Sequence, residues 1–277
     1  MDDMLNVKDV KSAAYDVGRY CVIILALDKS GSMTGNSETV YHATMELLQT
    51  LAKMNQTALD FEYRVVLMTF DTEVNVLNPD GVPLPPEHFL ELFTLSDYVC
   101  RGGTSLAAVF KSVDSLFSRK NHGLLAESRK GDALPLVLYI SDYMATDAQE
   151  SYDAAKDVLL ANRYYQKTNR LCIFLGPEHK RNAAAELVGS DDNVVALSQN
   201  LEMLLTPVII DSSIIMADAT HIGNTEKTPK QVAQEQREKS LCGEKAAENL
   251  TEEELMEEMK KIFGDMAGGN PDASSKH

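Results

Sequence analysis

The chain has 277 residues, 44% of them hydrophobic, enough for one medium α/β domain with an appendage or for two small domains with real cores. Its formal charge of −16 sets it against nucleic acid and anionic membrane surfaces as partners. Four cysteines, Cys21, Cys100, Cys172 and Cys242, form no C-x-x-C pair, which argues against a zinc or disulfide framework and suits a reducing compartment.

Residues 1–18 read as a polar leader without an apolar signal core, and no apolar run is long enough to span a membrane, so a cytoplasmic location is expected. Cys21-Val22-Ile23-Ile24-Leu25-Ala26-Leu27 is an apolar run suited to a strand buried on both faces. It ends in Asp28-Lys29-Ser30-Gly31-Ser32, a polar loop, and then an amphipathic helix is predicted over Ser37 to Met54. Tyr63 to Phe70 predicts a second strand and Val74 to Leu77 a short antiparallel one. Asn78 to Pro86 is rich in turn residues, and a short helix is expected from Pro86 or Glu87 to Leu92.

Arg101-Gly102-Gly103-Thr104-Ser105 is a glycine turn before another helix, whose apolar positions are Leu106, Val109, Phe110, Val113 and Phe117. Ser118 to Ala133 reads as a surface loop. Leu134 to Asp142 is a further buried strand with an aspartate at its carboxyl end. Thr146 is the expected cap of a helix running to about Tyr165. A strand over Arg170 to Gly176, a helix over Lys180 to Val188, a strand over Asn193 to Leu197 and a last helix over Leu201 to Ile215 complete the domain.

Strand and helix alternate throughout, which predicts a doubly wound, mostly parallel sheet with helices on both faces. Right-handed crossovers then bring the strand-end loops to one edge, where ligands bind in open α/β sheets. Small oxygen donors clustered there, Asp28, Ser30, Ser32, Thr104 and Asp142, suit a hard divalent cation. Taken singly, each has an ordinary reading as a helix cap, a loop serine or a turn residue. Their joint occurrence at three strand ends points to one site.

This pattern, D-x-S-x-S followed by a Thr and then an Asp, resembles the metal-ion-dependent adhesion site (MIDAS) of von Willebrand factor A (VWA) domains. The resemblance covers about Arg19 to Ser213 and implies a Rossmann-like VWA domain over residues 19–216. It also implies a bound Mg²⁺, with Mn²⁺ or Ca²⁺ as substitutes, and an open coordination position for an acidic residue of a protein partner. Lys29, Arg101, Ser105 and Tyr143 are the expected rim of that docking surface. Within the family the closest resemblance is to the bacterial TerY-like group, carried by Leu27 to Gly35, Gly102-Gly103-Thr104, Ile140-Ser141-Asp142 and Thr146-Asp147. Here Tyr143 and Ala145 stand where that group has Gly and Pro, and Ala107 where a Gly is common. The likeness implies a role in a cytoplasmic tellurite- or stress-resistance complex, with a protein kinase or PP2C-type phosphatase as partner.

An enzyme is not expected. A haloacid-dehalogenase-type phosphatase would need an Asp where Ser30 stands, His42, His88, His122, His179 and His221 have no companion nucleophile motif, and no P-loop is present.

Residues 217–249 are polar and are expected to be linker or disordered. Residues 250–266 form an amphipathic helix pattern with a Thr251–Glu254 capping box and an apolar stripe of Leu255, Met256, Met259, Ile262 and Phe263, and residues 267–277 carry no ordering signal. The alternative function is therefore a structural adaptor that docks partners through this helix, with the metal only stabilising loops.

Overall fold

The structure is a computed structural model; it describes residues 19–57, 61–118, 133–197, 204–213 and 228–248. The leader, most of the Ser118–Ala133 loop, and the helix expected over 250–266 with Leu255, Met256, Met259, Ile262 and Phe263 lie outside the described residues.

Six strands form one sheet in the order β3-β2-β1-β4-β5-β6: β1 (Arg19–Asp28), β2 (Phe61–Phe70), β3 (Val74–Val76), β4 (Leu136–Ser141), β5 (Asn169–Phe174) and β6 (Val194–Ala196). All neighbours pair in parallel except β3, which runs antiparallel to β2 through Met68–Val76 and Phe70–Val74. The helices are α1 (Ser37–Thr57), α2 (Glu87–Leu92), α3 (Leu106–Leu116), α4 (Gln149–Ala161), α5 (Arg181–Val188), α6 (204–213) and α7 (Pro229–Glu248).

The near-continuous apolar strands are explained by burial on both faces. Alternate residues of each central strand enter opposite core layers. Ile23, Leu25 and Leu27 of β1, with Leu136, Leu138 and Ile140 of β4, face one layer, closed by Leu47, Leu48 and Leu51 of α1, Phe89 of α2, and Leu205 and Val208 of α6. Ile24 and Ala26 of β1, with Val137 and Tyr139 of β4, face the other, closed by Val109, Phe110 and Val113 of α3, Leu159 of α4 and Leu187 of α5. Cys21 and Cys172 are buried within strands as small apolar residues. The doubly wound architecture follows, and it leaves the carboxyl ends of β1, β2 and β4 side by side.

Two elements differ from expectation. The helix expected to start at Thr146 starts at Gln149, with Ala148 at its N-cap and no side-chain cap. The stretch expected to be linker contains α7, whose start has a capping box: Thr228 N–H donates to Gln231 Oε1 at 2.8 Å and Gln231 N–H to Thr228 Oγ1 at 3.3 Å. The first compact unit of the chain ends at Gln234. Within it, the opening turns of α7 bury Val232 and Ala233, and Lys230 Nζ lies 2.7 Å from Asp191 Oδ2. The second unit begins at Glu235, and α7 continues in it to Glu248.

Candidate metal centre

β1 delivers Asp28 to the sheet edge with no solvent exposure. Its carboxylate accepts from the Ser30 N–H at 2.9 Å and from the Ser141 hydroxyl at 2.5 Å. Its carbonyl accepts from the Tyr98 hydroxyl. The Ser30 and Ser32 hydroxyls lie 3.1 Å apart, with Ser30 buried and Ser32 exposed. Ser30 is the extended N-cap of the 3-10 turn Gly31–Asn36 and Ser32 its second residue, and the bend between them brings the two hydroxyls together.

The glycine loop is laced to this first loop by backbone bonds: Arg101 N–H donates to Lys29 O at 2.9 Å and Gly31 N–H to Gly102 O at 3.0 Å. Gly102 has φ +71°, a left-handed conformation that side chains disfavour. Thr104 is buried and its backbone is bonded to the segment after β4: Thr146 N–H donates to Thr104 O at 2.8 Å. That segment begins at Asp142, whose Oδ1 accepts the Met144 N–H at 3.0 Å. The three segments thus converge, although they are remote in sequence.

The electrostatics of the cluster are those of an anion short of a counter-charge. Burial pushes the Asp28 carboxyl up to about 6, against the hydrogen bonds from Ser141 and Ser30, and the nearby Asp142 charge adds to the rise. Burial likewise pushes the Cys100 thiol up to about 11, with the Asp28 charge contributing. The near cation, Lys29, is paired with Asp71 at 3.7 Å. No cationic side chain pairs with Asp28 or Asp142 among the described residues. The Thr104 hydroxyl makes no hydrogen bond there either. No group of three or more His, Cys, Asp or Glu is placed to hold a metal ion among the described residues. The set here has two carboxylates and three hydroxyls, so a cation would rely on neutral oxygens for the rest of its shell. An all-oxygen set around a buried, underneutralised carboxylate fits a hard divalent ion.

The expected rim is only partly a rim. Arg101 is exposed. Lys29 is tied to Asp71, and the Ser105 hydroxyl is engaged by Asp147 at 2.6 Å while capping α3. Tyr143 is not on the rim at all: it is 2% exposed, with its ring packed near Phe174 in the core layer beneath α3 and α4. Its φ of +61° turns the side chain inward where a rim residue would point out. Four residues of the site went unread in the sequence. Ser141, Thr146 and Asp147 stand inside the motifs quoted above, where their adjacency to Asp142 was the available signal. Tyr98 had none.

The chain matches no protein-family model and no curated protein. Among solved structures it is similar to proximal thread matrix protein 1 of the mussel byssus with a zinc-occupied MIDAS motif, at 16% identity and TM-score 0.51 over 70% of this chain and 48% of that one. It is also similar to the pilus adhesin SpaC from Lactobacillus rhamnosus GG, at 9% identity and TM-score 0.54 over 74% of this chain and 31% of that one. A weaker match is a von Willebrand factor type A structure from Catenulispora acidiphila, at 14% identity and TM-score 0.46 over 66% of this chain and 40% of that one. The chain spans about half the length of the mussel protein and under a third of the adhesin. At these identities the likeness is one of fold. The chain has the Rossmann-like α/β fold of VWA domains. No helix among the described residues is long and apolar enough to cross a membrane.

Proposed function

We propose that this chain is a metal-dependent protein-interaction module without catalytic activity. Asp28, Ser30, Ser32, Thr104 and Asp142 would hold one divalent cation, Mg²⁺ by preference, or Mn²⁺ or Ca²⁺. The bound cation supplies a Lewis-acidic point that a partner's Asp or Glu carboxylate can reach. The chain's own residues do the rest. Ser141 and the Ser30 amide orient Asp28. Arg101 offers an exposed charge to an acidic partner. Val99 and Met144, 54% and 40% exposed, flank Arg101 and Asp142 and offer apolar contacts.

The observation that carries this reading is the convergence of the three oxygen-bearing segments around a buried carboxylate that has no cationic partner among the described residues. The mussel protein with a zinc-occupied MIDAS motif supports a divalent ion on this fold. The finer reading, a cytoplasmic stress-resistance complex of the TerY-like kind with a protein kinase or PP2C-type phosphatase as partner, rests on the spelling of the motifs alone. Affinity capture on the immobilised chain tests the proposal. Partners retained in Mg²⁺ should be lost in EDTA and lost on Asp142→Ala in Mg²⁺. The same partners retained in all three conditions would remove the metal from the account.

A further inference from the structure

The Gly102-Gly103 pair separates two sets of loop hydrogen bonds in the candidate site, which the Asp28–Ser141 bond at 2.5 Å also joins. Arg101 and Gly102 belong with the Asp28–Ser32 loop through their bonds to Lys29 and Gly31. Apart from Ser105 N–H, which donates to Asp71 O at 2.6 Å, Thr104 to Ala108 bond mainly to the loop after β4. Thr146 there holds Thr104 from both sides: its hydroxyl accepts from Thr104 N–H at 3.0 Å and donates to Thr104 O at 3.2 Å, and its own N–H donates to the same carbonyl at 2.8 Å. Asp147 holds the start of α3. Its Oδ1 accepts from the Ser105 hydroxyl at 2.6 Å and its Oδ2 from Ala107 N–H at 3.1 Å, while Ser105 Oγ accepts from Ala108 N–H at 3.3 Å. Two of the open amides of the helix start, those of Ala107 and Ala108, are thereby satisfied, with negative charge where the helix dipole favours it. A Cβ on Gly103 would come within 2.6 Å of the Thr146 hydroxyl, so the glycine keeps the space this contact needs.

The Thr104 hydroxyl has no hydrogen bond of its own among the described residues, so only its backbone aims it. We propose that Thr146 and Asp147 are the positioning pair of the metal centre: they fix the Thr104 backbone to the Asp142 loop, so that these two oxygen donors move as one body. This rests on the metal-module reading, and it gives a role to a Thr-Asp pair whose side chains bond the Thr104 backbone and the start of α3 and none of the five side-chain donor oxygens.

The test uses the full chain with Thr146→Val, which keeps the shape and removes the hydroxyl, with Thr146→Ser, which restores it, and with Asp147→Ala. Thr146 is exposed, so the core is untouched. The readouts are Thr104 amide hydrogen exchange in metal-free protein, Mn²⁺ affinity by calorimetry, and thermal unfolding. Thr146→Val should speed Thr104 exchange at least tenfold and weaken Mn²⁺ binding at least tenfold, and Thr146→Ser should return both to within twofold of the parent. Asp147→Ala should speed exchange at Ala107 and Ala108 and also weaken Mn²⁺ binding. Thr104 exchange unchanged in Thr146→Val, or exchange faster with Mn²⁺ affinity unchanged, would overturn the positioning role while leaving the metal module standing. A parent chain that binds no Mn²⁺ would overturn the module itself, and this proposal with it.

Discussion

β1 and β4 lie side by side in the sheet, and each hands its last residues to a loop that carries an aspartate. After Asp28 the chain turns outward and presents two hydroxyls 3.1 Å apart. After Asp142 it turns through Tyr143, whose φ is +61° and whose ring is taken into the core, and then doubles back to grip Thr104 and α3. The first loop presents two hydroxyls beyond its aspartate, whereas the second, beyond its own, bonds Thr104 and the start of α3. An aspartate at a strand end therefore marks a candidate ligand, and not what its neighbours do.

The sharpest way to break this comparison is Gly176→Ala. A Cβ there would lie 1.9 Å from the Asp142 carbonyl oxygen, a backbone atom that cannot swing away. The substitution should destabilise the domain by about 3–4 kcal/mol in a urea titration, since β5 would have to part from the Asp142 loop. A loss under 1 kcal/mol would show that loop to be pliable.

The next contrast is one of pH. The Asp28 carboxyl stands at about 6 in the folded chain against an ordinary 3.8, so between those values the folded state binds more protons than the unfolded one. Stability of the metal-free protein from this group is therefore highest at the acid end of that window. It falls by roughly 2–3 kcal/mol as pH rises from about 4 to about 6, then levels off. Denaturant midpoints across that range check the slope, and Asp28→Asn should flatten it. Saturating Mg²⁺ at pH 7 should recover stability in the parent chain and not in Asp28→Asn.

A smaller effect sharpens the picture of the second loop. The Tyr143 hydroxyl is buried with no hydrogen-bond partner among the described residues. Tyr143→Phe removes that unsatisfied group and keeps the ring, so it should stabilise the fold by about 1 kcal/mol without changing metal affinity. A loss of stability would mean that the hydroxyl has a partner in solution.

Much of this was legible from residue patterns. The apolar runs ending at Leu27 and Ser141 mark buried strands because both faces are covered, and the alternation at Val74-Asn75-Val76 marks an antiparallel edge strand. The candidate donors were legible because each follows a strand or a glycine turn. What was not legible depended on partners far away in the chain. Thr146 has the local look of a helix cap, yet Thr104, 42 residues earlier, takes its hydroxyl. Tyr143 follows Asp142 at the end of a strand, where exposure is the natural expectation, but its left-handed backbone and the hydrophobic space near Phe174 draw the ring inside. The start of α7 was readable and went unread: Thr228-Pro229-Lys230-Gln231 spells a capping box with Pro at the first helical position, and the polar composition around it hid the signal.

Calorimetric titration of Mn²⁺ into the parent chain, Thr104→Val and Asp142→Ala tests the central claim most directly, because these two donors come from segments remote from Asp28. One ion per chain is predicted for the parent, with affinity at least tenfold weaker in each variant and circular dichroism unchanged. No ion bound by the parent, or equal affinity in all three, would contradict the account.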